Sequence, residues 1–288
     1  MVAIVRFEDY QWKYANTKEF ALRGINLEIE EGTFVGVIGP NGSGKTTFAY
    51  SINGLIPSQY YGVRKGHVYV AGREVKEYRA DELAKQVGVV FSDPEAQFTA
   101  MTVEDEVVFG MENIGLTVEE IRERLEWVVP LTEIGHLMDK PPYEVSGGQK
   151  QRVALAAVLG MMPRVIVMDE PTAMLDPISR KRVFDVLGRM KHEQSNTVIA
   201  IEHNLENLIP LADRMVLLYN GEIILDDEPR PFFEQMDLLL KHDVFPPGAI
   251  QYFFELLREG YYNGPLPLTL DDATARLRQL VEKVKEQS

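Results

Sequence analysis

The sequence predicts an α/β protein built on a mostly parallel sheet, with an antiparallel β-subdomain at its start, an all-helical insertion and a short helical segment at its end. Three observations predict it. Short apolar runs rich in Val and Ile recur along the chain, "FVGVI", "VGVVF", "RVIVMDE", "NTVIAIEH" and "RMVLLYNGEIIL", and helical patterns lie between them. Buried strands alternating with helices indicate a parallel sheet covered on both faces. The opening differs: "AIVRFEDYQWKY" and "ALRGINLEIEEG" alternate apolar and polar, as half-solvated antiparallel strands do. Finally, the strand signal vanishes over residues 100–160, where "TVEDEVVFGMENIG", "TVEEIRERLEWVVP" and "SGGQKQRVALAAVLG" all read as helices.

These readings divide the chain into a main domain over 1–235, with its helical subdomain at about 100–160, and a C-terminal helical segment over 236–288. A length of 288 residues suits one large domain with an appendage and is long enough to bury a sizeable core. In the final segment, Ile250, Phe253, Phe254 and Leu257 form one helical stripe. Thr269 and Asp272 then stand at capping-box spacing before a face of Leu277, Leu280, Val281 and Val284. An exposed aromatic stripe is unusual on a monomer, so this one is expected at a subunit interface. Packing on the chain's own core is the competing arrangement. There is no internal repeat and no low-complexity tract.

A net charge of −14 disfavours nonspecific binding to phosphate backbones or anionic lipid, so nucleic acid is not an expected partner. The chain has no cysteine, which excludes disulfides and thiolate metal sites and fits a cytosolic location. The first residues carry too short an apolar run for a signal peptide. No run approaches the roughly 18 apolar residues that would span a bilayer. Any membrane role is therefore expected to be peripheral, through a partner.

"GPNGSGKT" matches the phosphate-loop pattern G-x-x-x-x-G-K-[ST] and stands between a strand, Phe34 to Ile38, and a helical pattern starting at Thr46. Glycines let backbone N–H groups turn inward around an anion, and the helix N-terminus adds partial positive charge. Gly39, Pro40, Asn41, Gly42, Ser43, Gly44, Lys45, Thr46 and Thr47 form the candidate nucleotide cradle. Lys45 would reach the β- and γ-phosphates, and the Thr46 hydroxyl would ligate Mg²⁺. "VIVMDEP" ends a buried strand in two acids: Asp169 can hold the metal through water, and Glu170 can orient and deprotonate an attacking water. His203 ends another apolar strand, where ligands gather in parallel sheets; a satisfied polar residue is the alternative. "VSGGQKQRVALAAVLG" supplies a second helix start, with Ser146 as N-cap followed by Gly147, Gly148 and Gln149. Two phosphate-facing ends far apart in one chain suggest a sandwich, each nucleotide lying between one subunit's cradle and the other's Ser-Gly-Gly turn.

With that order of motifs, residues 1–235 resemble an ABC-type ATPase, which implies a P-loop ABC core, ATP and Mg²⁺ as cofactors, and ATP hydrolysis. The resemblance makes His203 the switch histidine and Ser146 to Gln149 the signature. It places Asp176, at the end of "AMLD", in a loop at the dimer interface, and implies that Tyr14 stacks on adenine. Tyr10, Trp12 and Tyr14 alternate on one strand face, so core packing remains open for Tyr14. Three further stretches, "VGVVFSDPEAQFTAMTVEDEVVFG", "NGLIP" and the tail "FPPGAIQYFFELLREG", resemble the ATPases of energy-coupling factor (ECF) and cobalt-type importers. That implies uptake of a vitamin or transition-metal ion, with the chain lying at the cytoplasmic face of the membrane. The implied partners are a second ABC ATPase subunit, like or unlike, a transmembrane coupling component and a small substrate-binding membrane subunit. The final segment would be a dimerisation segment. A non-transport ABC ATPase and a catalytically weakened ATP-binding subunit are the rival readings.

The chain departs from that pattern at Ser92, where the family keeps a sensor glutamine; Gln97 matches a second, separate glutamine. A hydrogen bond to a charged group is worth about 1.5–3 kcal/mol, and its loss slows chemistry by about ten- to a hundredfold. Either serine is tolerated in a working site, or this chain is one half of an unlike pair whose two sites do unequal work. Glu104, Asp105 and Glu106 follow the Ser92 turn at a helix start, where the helix dipole alone favours acids. The resemblance adds a role for them, contact with a basic coupling helix of the membrane component.

Overall fold

The computed structural model describes residues 3–193 and 196–286. The chain opens with β1 (Ala3–Tyr14), β2 (Leu22–Glu30) and β3 (Phe34–Ile38), then α1 (Lys45–Ile52) and the single turn α2 (Leu55–Ser58). Next come β4 (Gly62–Val70), β5 (Arg73–Glu74), α3 (Ala80–Ala84) and β6 (Val87–Val90). The insertion holds α4 (Val103–Asn113), α5 (Val118–Thr132) and α6 (Gly147–Gly160). The chain returns through β7 (Val165–Asp169), α7 (Pro177–Glu193), β8 (Thr197–Ile201), α8 (Leu205–Leu208), β9 (Arg214–Tyr219) and β10 (Glu222–Asp227). It closes with α9 (Pro229–Glu234), α10 (Met236–Lys241), α11 (Gly248–Arg258) and α12 (Leu270–Glu286).

Two sheets form. The first has the order β2-β1-β4-β5 and is antiparallel throughout, as the alternation in the opening strands predicts. The second has the order β10-β9-β3-β8-β7-β6, parallel except for the β9–β10 hairpin at its edge. Successive residues of its strands enter opposite cores, as a period of two requires. Val165 and Val167 face the core shared with the first sheet and α1, whereas Ile166 and Met168 face the core shared with the insertion and the tail. Both faces being apolar explains why these strands read as continuous hydrophobic runs rather than alternating ones.

The helices begin where their caps say they should. Thr102, Thr117 and Ser146 each accept a hydrogen bond from a backbone N–H in the first turn of α4, α5 and α6. Thr269 caps α12 through Asp272 N at 3.1 Å, but the Asp272 carboxylate turns to Arg276 at 2.6 Å, so only half of the expected capping box forms.

The tail stripe corrects one expectation. Ile250 and Phe253 are buried in this chain's own core, with Phe254 and Leu257 packed against it. The physical reason is that α9 and α10 lead the chain back over the sheet. Phe232, Phe233, Met236 and Leu239 join the same core ahead of the stripe. Of the second tail helix, Leu277 and Val281 stay exposed, Leu280 packs inward, and the Val284 side chain lies outside the described residues. Among the described residues no helix is long and apolar enough to cross a membrane.

Because Phe253 is only 2% exposed within a single chain, Phe253→Ala should lower unfolding stability by about 3–5 kcal/mol, the usual cost of emptying a buried aromatic site. Urea melts should show that loss equally at low and high protein concentration. A loss growing with concentration would return the ring to an interface.

Candidate functional site

The parallel strands β3, β8, β7 and β6 stand side by side, so the turns at their carboxyl ends lie along one edge, where ligands gather in open α/β sheets. In that order they carry the cradle, His203, the Asp169–Glu170 pair and the Ser92 turn. Residues distant in sequence are thereby gathered at one rim.

The cradle from Gly39 to Gly44 leaves β3 and enters α1. At Gly39 the backbone adopts φ +152°, and a Cβ there would collide with the Leu218 carbonyl, so only glycine fits this approach to β9. Ser43 is buried, and its Oγ has no partner among the described residues. An orphaned buried hydroxyl inside a loop at a helix start fits an anionic ligand. Lys45 Nζ donates to the carbonyls of Gly39 at 2.9 Å and Pro40 at 3.1 Å. Burial pushes the Lys45 ammonium below its ordinary pKa, opposed by the charges of Glu170 and Asp169. A desolvated cation with two weak carbonyl partners is well placed to bind phosphate oxygens.

Thr46 Oγ1 donates to Asp169 Oδ1 at 3.3 Å. Burial pushes the Asp169 carboxyl up, while the Thr46 hydrogen bond pulls it down, Glu170 raises it further and Lys45 lowers it. This oxygen pair fits Mg²⁺, a hard cation that keeps several waters and takes few protein ligands. A donor set of one hydroxyl and one carboxylate suits a metal shared with phosphate.

Glu170 has φ +53°, a conformation that costs a non-glycine residue of order 1–3 kcal/mol and clusters at functional positions. Its backbone N–H donates to Ile201 O at 2.9 Å, and its carboxylate meets His203 Nε2 at 2.9 Å. The structure therefore brings together Glu170 and His203, which the sequence put on different strands.

Glu202 escaped the sequence reading. It is buried, and Oε1 accepts from Thr172 N at 3.1 Å and from Thr172 Oγ1 at 2.5 Å. Burial pushes its carboxyl up, opposed by these bonds and by the His203 and Asn204 backbone. It ties the loop after β7 to the loop after β8, fixing Glu170 relative to His203. An acid ending the apolar run "TVIAIE" was the available signal.

Of the aromatic trio, Tyr10 and Trp12 are core residues, while Tyr14 is half-buried and its hydroxyl stands 3.0 Å from Thr47 Oγ1. Tyr14 thus lies against the cradle.

The Ser-Gly-Gly turn forms a separate feature. Ser146 and Gln149 cap each other, with Ser146 N donating to Gln149 Oε1 at 2.9 Å, and Ser146 and Gly147 are exposed. A Cβ at Gly148 would strike Ser179 Oγ, so glycine permits the close approach of α6 to α7. Asp176 caps α7, its Oδ1 accepting from Ile178 N and Ser179 N at 3.0 Å each; the Ser179 side chain first, and then these backbone bonds, hold its carboxyl below the usual range. A cavity of about 310 Å³ beside the cradle is lined by Gly39, Pro40, Asn41, Glu202 and His203, among others. Another, of about 380 Å³, is lined by Ser92, Gly147, Gln151 and Met174, among others, and shares no residue with the first.

The Ser92 turn is anchored on α6. Gln151 Nε2 donates to Phe91 O at 3.2 Å, and Lys150 Nζ pairs with Glu95 at 2.6 Å. Gln97 Nε2 is buried without a partner among the described residues. Beyond the turn the three acids separate: Glu106 is buried and Oε2 accepts from Thr99 N and Ala100 N at 2.8 Å each, whereas Glu104 and Asp105 are exposed. Glu106 is thus committed to its own loop and unavailable to an incoming helix.

The chain is similar to known proteins along most of its length. The ABC transporter family profile matches residues 22–173. A Pyrococcus horikoshii protein with the provisional name of an ABC transporter ATP-binding protein is 39% identical over 275 residues, covering 96% of both chains. The energy-coupling factor transporter ATP-binding protein EcfA1 of Caldanaerobacter subterraneus is 38% identical over 264 residues, covering 90% of this chain and 93% of its own. Among solved structures, cbiO1 of Clostridium perfringens, part of the ABC transporter complex cbiONQ, superposes with a TM-score of 0.74 at 30% identity, covering 90% of this chain and 100% of its own.

If Glu170 removes the proton from water, Glu170→Gln should retain ATP binding and lower steady-state phosphate release by about 10²–10⁴-fold. Lys45→Ala should instead lose nucleotide binding. Turnover of the Gln variant within about twofold of the unmodified chain would remove Glu170 from the role of base.

Proposed function

The chain belongs to the ABC transporter family and is an ATPase whose hydrolysis is coupled to transport, and from that premise we propose that it is the ATP-binding subunit of an ECF-type importer. It works as one half of an ATPase pair, with an identical or an unlike chain, and powers uptake of a vitamin or a transition-metal ion. It lies at the cytoplasmic face of the membrane, bound to a transmembrane coupling component and a small substrate-binding subunit. The likeness to EcfA1 and cbiO1 along nearly the whole chain supports the ECF assignment.

One observation carries the paired reading. The exposed Ser146-Gly147 turn and the cradle are two anion-suited helix starts lining different cavities of the same chain. A second chain brings its Ser-Gly-Gly turn to this cradle and offers its own cradle to this turn. Asp176 lies beside the turn, where it helps align the facing site. In the closed site Lys45 and the cradle hold the phosphates, Thr46 and Asp169 hold Mg²⁺, and Tyr14 takes the adenine. The metal, when bound, neutralises charge developing on the phosphates. Glu170 takes the proton from water, and His203 keeps its carboxylate oriented. Segment 236–288 supports the pair through what α12 leaves exposed, Leu270, Leu277 and Val281.

Purification of the chain from its native membranes tests the assembly. A second ATP-binding chain and two membrane proteins should accompany it. Recovery with nucleic acid, or with no membrane protein, would sink the importer reading. Within that complex, Glu104→Gln with Asp105→Asn should uncouple hydrolysis from transport or release the coupling component, with ATP binding unchanged. If transport and assembly both persist, the two acids are ordinary helix-start charges.

A further inference from the structure

A series of aromatic rings runs from the cradle to the Ser92 turn, and beyond its first member the chemistry of the ATP site gives it no task. It starts at Tyr14, whose hydroxyl is 3.0 Å from Thr47 in the first turn of α1. The Tyr14 ring meets Tyr60 edge-on, with centroids 5.8 Å apart and planes at 78°. Tyr60 stacks on Tyr50 at 5.5 Å and 28°. Tyr50 meets Phe91 edge-on at 6.0 Å and 75°. Phe91 immediately precedes Ser92, and its carbonyl is the one held by Gln151 of α6. Each contact uses a preferred ring geometry, which fixes orientation beyond what burial alone does.

Simple core packing does not account for the series. Tyr10 and Trp12 are fully buried, but Tyr14 and Tyr50 are only half-buried and Tyr60 is 38% exposed. The rings lie along the rim of the site. Tyr50 occupies the middle position. It follows Thr46 by one helical turn, so the two share a face of α1, and the Thr46 hydroxyl reaches Asp169. Burial first, and then the Asp169 charge, push the Tyr50 phenol up to about 12. Each ring touches the next in a defined geometry, so a shift of one is met by its neighbour.

We propose that Tyr50 is the positioning residue of the Ser92 turn: its ring, held by Tyr60 and Tyr14 on one side and by Phe91 on the other, carries nucleotide occupancy of the cradle to the turn and on to α6. The turn passes the displacement to α6 at two points, Phe91 to Gln151 and Glu95 to Lys150. The helix that moves is the one whose start, Ser146, faces the partner's nucleotide in the paired reading. The inference rests on the cradle binding ATP.

The absence of cysteine makes the test direct. Ala96→Cys places one thiol on the exposed side of the turn for an environment-sensitive dye. A non-hydrolysable ATP analogue with magnesium should shift the emission of the labelled full-length chain. Tyr50→Leu should abolish most of that shift while the analogue's Kd, by equilibrium dialysis, changes by no more than about twofold, the scatter for a site with no ligand contact. Tyr50→Phe, which keeps the ring, should restore the shift. An unchanged shift in Tyr50→Leu overturns the proposal, as does its loss in Tyr50→Phe or its absence from the unmodified labelled chain with analogue bound. If Tyr50→Leu does not fold, Tyr60→Leu breaks the next contact at a more exposed ring, and an unchanged shift there overturns it equally. Failure of the unmodified chain to bind the analogue is a separate result, and counts against the cradle.

Discussion

The parallel pairing of β3 with β8 on one side and β9 on the other determines where everything else can be. A parallel ladder demands a crossover between each pair of strands, so every strand of this sheet delivers its carboxyl end to the same rim. Because β7 pairs with β8, and β6 with β7, the cradle, His203, the two acids and the Ser92 turn become neighbours through backbone hydrogen bonds alone. The side chains then need only short reaches: 3.3 Å from Thr46 to Asp169 and 2.9 Å from Glu170 to His203.

Burial makes that rim reactive. Lys45 is pushed toward losing its charge and Asp169 toward keeping its proton, each opposed by the other. Neither group is stabilised by its own surroundings as well as it would be by a bound ligand. Phosphate would restore a strong partner to Lys45, and a hydrated divalent cation would do so for Asp169. Glu202 has the opposite character. Its carboxylate is already filled by Thr172 and neighbouring backbone, which suits a strut between loops better than a reacting group.

Whatever depends on local pattern was legible in the sequence. The cradle's glycines, the cap at Ser146, the all-apolar strands and the acids at the end of β7 all express rules spanning fewer than ten residues or so. What depends on distant packing was not. The Ile250–Leu257 stripe has the periodicity of any amphipathic helix, and no local rule says whether the covering surface belongs to this chain or to another. Glu106 looks like its two neighbours in sequence, yet its helical position turns it inward onto Thr99 and Ala100. The aromatic series is less visible still, since Tyr14, Tyr50, Tyr60 and Phe91 have no common spacing and meet only once β1, α1 and β6 are assembled.

Helix α6 is where these levels join. Its first turn presents the Ser-Gly-Gly surface, its second holds the Ser92 turn through Lys150 and Gln151, and Gly148 lets it lie against α7, which Asp176 caps. Those attachments fall within six consecutive residues, Ser146 to Gln151, on an element stiffened by backbone hydrogen bonds. The Ser92 turn and the exposed Ser-Gly-Gly turn are therefore attached to one and the same short stretch of helix. For such a helix the identity of the side chain at position 92 matters less than whether the turn backbone is held. Here Gln151 holds it through a carbonyl, a group that every residue type supplies.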